Sequence, residues 1–215
     1  MASSLYFYYA QHNRGNIAEN IKDASYASRF YLTSNPFMEG PFYGDKKAGI
    51  TLIAFTDASS EPSRAFMQEI FPLLKKDYIE TGLMKIYNKH YITPQDIMER
   101  NDNFKDAMML ECIKKLKNQE YYPIYSEMLS KNVTIRKLLE AHEIGIDSYN
   151  ECMYGNEVLD TLYKNALEIE GLGIVGIDQR FYIGLAGKEN IVLDGVQPYI
   201  KFQQVIRQNE IKIGN

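Results

Sequence analysis

The stretch ITLIAFTDASSEPSRAFMQEIF, Ile50 to Phe71, decides the fold. Its first part, Ile50 to Phe55, is a short and mostly apolar run, the pattern of a buried strand. Beyond it, Phe66, Ile70, Leu73 and Leu74 recur at helical spacing, the pattern of an amphipathic helix. Between the two, Asp57-Ala58-Ser59-Ser60-Glu61-Pro62-Ser63 must turn the chain. Ser60 suits an N-cap, Glu61 suits the positive end of the helix dipole, and Pro62 is tolerated in a first turn.

Working outward, Thr81-Gly82 is a stop signal for that helix, and Leu83 to Tyr87 reads as a second strand. Strand, helix, strand is a βαβ unit, which demands a parallel pair and a right-handed crossover. Upstream, Asn35-Pro36 through Pro41-Phe42-Tyr43-Gly44-Asp45 is punctuated by Pro and Gly and reads as a loop. Residues 1–41 form an arm in which Ile17, Ile21, Ala24, Tyr26 and Ala27 suggest one helix. Residues 93–170 contain no convincing strand. Thr93-Pro94 opens a helix, and Met108, Met109, Cys112, Ile113 and Leu116 share one helical face. Tyr121, Tyr122, Tyr125, Met128 and Leu129 continue the helical pattern. Thr134–Leu139 and Val158–Leu167 add two amphipathic stretches, separated by Gly145 and Gly155. The chain then returns to strands at Gln179–Ile183 and Glu189–Leu193, an antiparallel pair. A last helix runs through Phe202, Val205 and Ile206.

At 215 residues the chain suits one domain, or one domain with a sizeable insertion. A net charge of −4, with no stripe of Lys and Arg, gives no footprint for nucleic acid. The apolar runs are far below membrane-spanning length. Met1-Ala2-Ser3-Ser4 has no charged n-region leading into an apolar segment, so no leader is expected in this chain. The two cysteines, Cys112 and Cys152, are too far apart in sequence for a CxxC pair or a usual zinc knuckle. His12, His90 and His142 are scattered, and no metal site or cofactor is expected. Asn132-Val133-Thr134 fits a glycosylation sequon, a match frequent by chance. The tyrosines Tyr6, Tyr8, Tyr9, Tyr121 and Tyr122 could serve a partner interface or the core.

The decisive stretch resembles the active-site segment of the DsbA-like thiol–disulfide oxidoreductases. Their pattern is a strand, then F-x-D-x-x-C-x-x-C, then a helix opening with Arg and Phe. Here it stands as Phe55-Thr56-Asp57-Ala58-Ser59-Ser60-Glu61-Pro62-Ser63-Arg64-Ala65-Phe66, with serine at both cysteine positions. The resemblance covers roughly residues 42–210. It includes Gly44-Asp45-Lys46-Lys47-Ala48 before the strand and Gly195-Val196-Gln197-Pro198-Tyr199 before the last helix. It implies an α/β thioredoxin fold: residues 42–92 and 171–215 form the sheet domain, and residues 93–170 an inserted helical domain. It also implies an extracytoplasmic location, with cytoplasmic residence left open.

In that family a cis-proline loop faces the cysteines. The matching segment here is Gly176-Ile177-Asp178-Gln179-Arg180-Phe181, with Ile177 and Asp178 where the loop would turn and no proline. A non-proline cis bond costs about 2.5–4 kcal/mol, so a trans bond is the expectation. Thiol–disulfide exchange needs a thiolate, whose pKa falls from about 8.5 to roughly 3.5–7.5 at such a helix end. The hydroxyls of Ser60 and Ser63 form no disulfide at any pH. The expected role is therefore redox-inactive, binding a polypeptide or protein partner, with the oligomeric state open. Two alternatives stand beside it. Kappa-class glutathione transferases and the related chromene-carboxylate isomerases share the fold and carry a serine at the first position. Otherwise the chain is an active oxidoreductase whose two cysteines were exchanged for serine. Asp57 lies where the family keeps an acid; without thiols it is expected to cap the loop or pair with Arg64. Asp178 and Glu61 would give this face a negative character. The resemblance also implies a non-catalytic disulfide between Cys112 and Cys152, the alternative being two buried thiols on helix faces.

Overall fold

A computed structural model describes residues 42–57, 59–130, 133–174, 179–185 and 190–210. The expected arm helix, Ile177 with Asp178, and the Asn132 sequon lie outside the described residues. The strands are β1 (Phe42–Gly44), β2 (Ile50–Thr56), β3 (Met84–His90), β4 (Gln179–Leu185) and β5 (Ile191–Asp194). They form one sheet in the order β1-β3-β2-β4-β5. β2 and β3 are parallel, with Ile50 opposite Met84 and Thr56 opposite His90. β4 lies antiparallel on the other side of β2 and carries β5 at its outer side.

The β2–β3 crossover is helix α1, built from Glu61–Ala65, Phe66–Ile70, Phe71–Leu74 and Lys75–Ile79. Phe66–Ile70 and Lys75–Ile79 are π-helical turns. The first wide turn closes with the Phe71 N–H on the Phe66 carbonyl, immediately before Pro72. Proline has no N–H to give and its ring crowds the carbonyl four residues back, so a widened turn there relieves the clash. The helix stops as its Thr81-Gly82 signal expects. Gly82 takes φ +76°, its N–H reaches the Ile79 carbonyl at 3.0 Å, and the Leu83 N–H reaches the Tyr78 carbonyl at 2.9 Å.

Helical elements fill the sequence between β3 and β4: α2 (Pro94–Glu99), α3 (Asp102–Leu116), α4 (Tyr121–Ser130), α5 (Ile135–Ala141), α6 (Ile146–Tyr154) and α7 (Asn156–Gly171). A short 3-10 turn, Asn118–Glu120, precedes α4. Thr93 caps α2 in a reciprocal box: its hydroxyl accepts from the Asp96 N–H at 3.2 Å, and the Asp96 carboxylate accepts from the Thr93 N–H at 2.7 Å. The last helix, α8 (Tyr199–Glu210), returns to the sheet.

The sheet is covered on both faces, because alternate residues of β2 point opposite ways. Leu52 and Ala54 join the main core with Phe66, Leu74, Ile86 and Phe202. Ile53 and Phe55 join a second cluster with Tyr87, Tyr91, Ile169 and Tyr182. Buried Tyr121, Tyr122 and Tyr125 belong to the main core, so these three are packing residues, while Tyr6, Tyr8 and Tyr9 lie outside the described residues.

Two expectations need correction. Phe42–Gly44 is a strand and not a loop, paired antiparallel with β3. Phe42 packs on Tyr87 at 5.5 Å and Tyr43 on Tyr122 at 5.6 Å between ring centroids, and that aromatic packing outweighs the Pro and Gly punctuation. Gly44 then ends the strand at φ +116°, where a Cβ would lie 2.5 Å from the Met84 carbonyl oxygen. Strand β3 also runs past Tyr87 to His90. Its polar end, Asn88-Lys89-His90, does not look like a core strand, yet Asn88 and His90 are buried.

Candidate functional site

β2 ends at Thr56 and α1 begins at Glu61, so the turn between them sits at the mouth of the sheet. Asp57 organises that turn. Its carboxylate accepts from the Ser59 N–H at 2.7 Å and from the Ser59 hydroxyl at 2.6 Å. Its carbonyl accepts from the Ser60 N–H at 3.1 Å and from the Ser60 hydroxyl at 2.9 Å. Asp57 thus caps the loop. Ser60 in turn is the N-cap of α1, accepting the Ser63 N–H on its Oγ at 3.3 Å. Pro62 stands in the first turn, with Glu61 exposed beside it.

The two hydroxyls come together. Ser60 Oγ and Ser63 Oγ are 3.1 Å apart, with Ser63 fully buried and Ser60 half-buried. Each proton has an oxygen to point at within the turn. Ser60 Oγ contacts the Asp57 carbonyl and the Ser63 hydroxyl, neither of which is a base. A serine nucleophile needs an imidazole, amine or carboxylate within hydrogen-bond reach, and among the described residues Ser60 shows no such contact.

The neighbouring segments close in from the other side of β2. Gln179, the first residue of β4, is buried, and its side-chain amide donates to the Pro62 carbonyl at 3.5 Å. The Gly195 N–H donates to the Gln179 carbonyl at 2.9 Å, which ties the β5–α8 turn to the same corner. Ala65, Phe66, Glu69 and Ile70 of α1 face Gln179, Val196, Gln197 and Pro198 across a groove of about 270 Å³. Val196 is 61% exposed, so the outer wall offers apolar surface to solvent.

Under the turn lies a buried polar knot. Thr56 Oγ1 donates to Asn88 Oδ1 at 3.0 Å and is 3.2 Å from the Tyr125 hydroxyl. Burial pushes Tyr125 up to about 12. Deeper still, the Tyr121 hydroxyl is 3.2 Å from His90 Nε2, which is 3.7 Å from the Glu111 carboxylate. Burial holds His90 down to about 4; Glu111 opposes the shift, and Lys114 and Lys89 add to it. Beside the turn, the Asp106 carboxyl is raised by burial and by the nearby charges of Asp102 and Asp57, with Arg64 and Lys105 pulling the other way.

Asp57, Ser60, Glu61, Pro62 and Ser63 therefore form one constellation at the start of α1. Cys112 and Cys152 lie apart from it, joined as a disulfide that staples α3 to α6 with Cα atoms 5.8 Å apart. The alternative of two buried thiols is set aside. The sequence places Gln179 in the segment matching the cis-proline loop and at the start of a strand, but not its contact with Pro62, nor the contributions of Thr56, Asn88, Tyr125 and Asp106. Its place in the counterpart of the loop that faces the turn is the signal for Gln179.

These features define a class: a thioredoxin-type sheet whose leading helix presents a turn at the C-terminal end of the central strand. The sequence profile of the family described as Thioredoxin matches residues 38–170, and the chain belongs to that family. No curated protein matches the chain. Among solved structures, Wolbachia pipientis α-DsbA1 is similar at a TM-score of 0.65 and 22% identity, covering 80% of this chain and 92% of that one. Oxidised BdbD from Bacillus subtilis is similar at 0.66 and 15%, covering 79% and 91%. Chlamydia trachomatis DsbA is similar at 0.62 and 18%, covering 80% and 92%. The fold is DsbA-like.

Proposed function

We propose that this chain is a redox-inactive thioredoxin-family protein that binds an extended polypeptide along the groove beside Ser60. The observation that carries this reading is the groove itself. Its inner wall is the first turns of α1, its outer wall is Val196 and Pro198, and Gln179, which lines it, reaches the Pro62 carbonyl between Ser60 and Ser63. Convergent apolar walls with a few polar groups at the edge are what a peptide side chain needs. Gln179, Gln197 and Glu69 supply that edge. Ser60 and Ser63 contribute a helix cap and a closed hydroxyl pair. The Cys112–Cys152 disulfide supports residence in an oxidising compartment, where such bonds persist.

The test pairs a binding assay with a redox assay. Fluorescein-labelled extended peptides carrying one Val, Leu or Phe are expected to bind the wild type, and Val196→Asp to weaken binding at least tenfold. Insulin reduction and dithiol oxidation are expected at background. Redox turnover by the wild type, or peptide binding indifferent to Val196→Asp, overturns the reading. Calorimetry with glutathione separates the serine-enzyme alternative, which needs tight binding that Ser60→Ala abolishes. Robust dithiol oxidation by Ser60→Cys with Ser63→Cys would favour the alternative of an oxidoreductase whose cysteines were exchanged.

A further inference from the structure

The chain contains one disulfide and no third cysteine. The seats at which its fold would hold an exchanging dithiol carry Ser60 and Ser63. Its own disulfide therefore cannot be made by another copy of itself acting through those seats. We infer that this protein is a recipient of disulfides, oxidised by a separate protein disulfide, and that the exchange is completed before α6 docks on α3.

The second half of the inference comes from burial and order. Cys112 is 0% exposed and Cys152 8%. A sulfur so covered offers no in-line approach to a bulky protein disulfide. Cys112 lies on α3 among Met108, Leu110 and Ile113, all buried. Cys152 is on the buried side of α6 with Tyr149. With 40 residues between them, the two sulfurs meet only when the intervening helices are placed. Donor access and cysteine proximity thus pull in opposite directions, and both are satisfied only in a partly folded chain.

The chemistry balances as a two-step exchange. One chain thiolate attacks a sulfur of the donor disulfide, forming a mixed disulfide and releasing the donor's other sulfur as a thiolate. The second chain thiolate then attacks the chain sulfur of the mixed bond. The Cys112–Cys152 bond forms, and the donor leaves as a dithiol carrying two electrons and the two protons of the chain thiols.

The test uses the full chain, reduced and unfolded, then freed of reductant under anaerobic conditions. It is diluted into native buffer with one equivalent of oxidised DsbA, and free thiols are alkylated over time for intact-mass measurement. The expected result is loss of both chain thiols with appearance of two donor thiols per chain. The same donor added after the reduced chain has refolded is expected to react at least 100-fold more slowly. Cys152→Ala, mixed with the donor while unfolded and alkylated at once so that the donor's released thiolate cannot reverse the exchange, is expected to show the covalent adduct through Cys112; this readout does not require the variant to fold. Retention of both chain thiols in the presence of the oxidised donor overturns the recipient role. Equal rates for folded and unfolded reduced chain overturn the order of events, and absence of the mixed adduct overturns the exchange route.

Discussion

Buried His90 makes stability fall with acid in a window that most carboxylates do not share. The ring sits on β3 beneath α3 and α4 at 1% exposure, facing Tyr121 and Tyr125 of α4, Glu111 and Lys114 of α3, and its neighbour Lys89. Burial lowers its pKa from 6.5 to about 4. The folded pKa lies below the unfolded one, so the unfolded chain binds the extra proton first. Stability is fully present above the unfolded pKa and is lost as pH falls through 6.5 toward 4; below that the loss is complete. With one unit worth about 1.4 kcal/mol, this shift amounts to about 3 kcal/mol. The perturbation is His90→Gln, which keeps a polar group near the Tyr121 hydroxyl and does not titrate. The chain has no tryptophan and 17 tyrosines, so urea unfolding is followed by far-ultraviolet dichroism and tyrosine fluorescence. At neutral pH the variant is expected to be the less stable. Between pH 7 and 4 the wild type is expected to lose about 3 kcal/mol more than the variant does. Parallel pH profiles for the two proteins would refute the assignment, because every other titrating group is common to both.

Three further outcomes follow from single contacts. Replacing Cys112 and Cys152 together by Ala opens a closure of 40 residues, and the chain-entropy relation puts the loss at about 4 kcal/mol; an unfolding midpoint unmoved by reductant, with free thiols verified, would sink that estimate. Ser60→Ala removes the acceptor for the Ser63 N–H and is expected to cost about 1 kcal/mol in urea unfolding, with Ser60→Asp retaining most of it. Gly44→Ala places a Cβ against the Met84 carbonyl at a positive φ and is expected to cost more than about 1 kcal/mol; a neutral result would mean β1 shifts freely.

The parts of the fold legible in the sequence were those governed by local rules. Ile50–Phe55 reads as a buried strand because both its faces are apolar, and the structure covers both faces. Thr93-Pro94 and Thr81-Gly82 mark helix ends because capping chemistry is local. The end of β3 was illegible because Asn88 and His90 are made tolerable by Thr56, Tyr121 and Tyr125, residues 31 to 69 positions away from the groups they touch. The β1 strand was hidden for the same reason: its justification is Tyr122, on a helix far along the chain. At the candidate site, the Ser60 cap could be read directly. The meeting of Pro62 with Gln179 could not, since 117 residues separate them.

The persistence of the turn without sulfur has a physical basis. A catalytic dithiol at this position is held by the scaffold, and the contacts seen here show which groups do the holding. Asp57 fixes the turn through Ser59, and its carbonyl fixes Ser60. Gln179 and Gly195 anchor the opposite wall. None of these contacts involves a cysteine, and serine is a better helix cap than a thiol because its oxygen accepts the N–H bond more strongly. Serine rather than cysteine at both seats would thus leave no sulfur exchange there while strengthening the first turn. The groove wall of Phe66, Ile70, Val196 and Pro198 is untouched by that difference. Selection acting on binding alone would keep the wall and the turn and leave the dithiol free to be lost. Charged substitutions at Val196 should therefore damage function more than removal of the Ser60 hydroxyl does. The reverse ranking in the peptide-binding assay would mean that the hydroxyl pair itself touches the ligand.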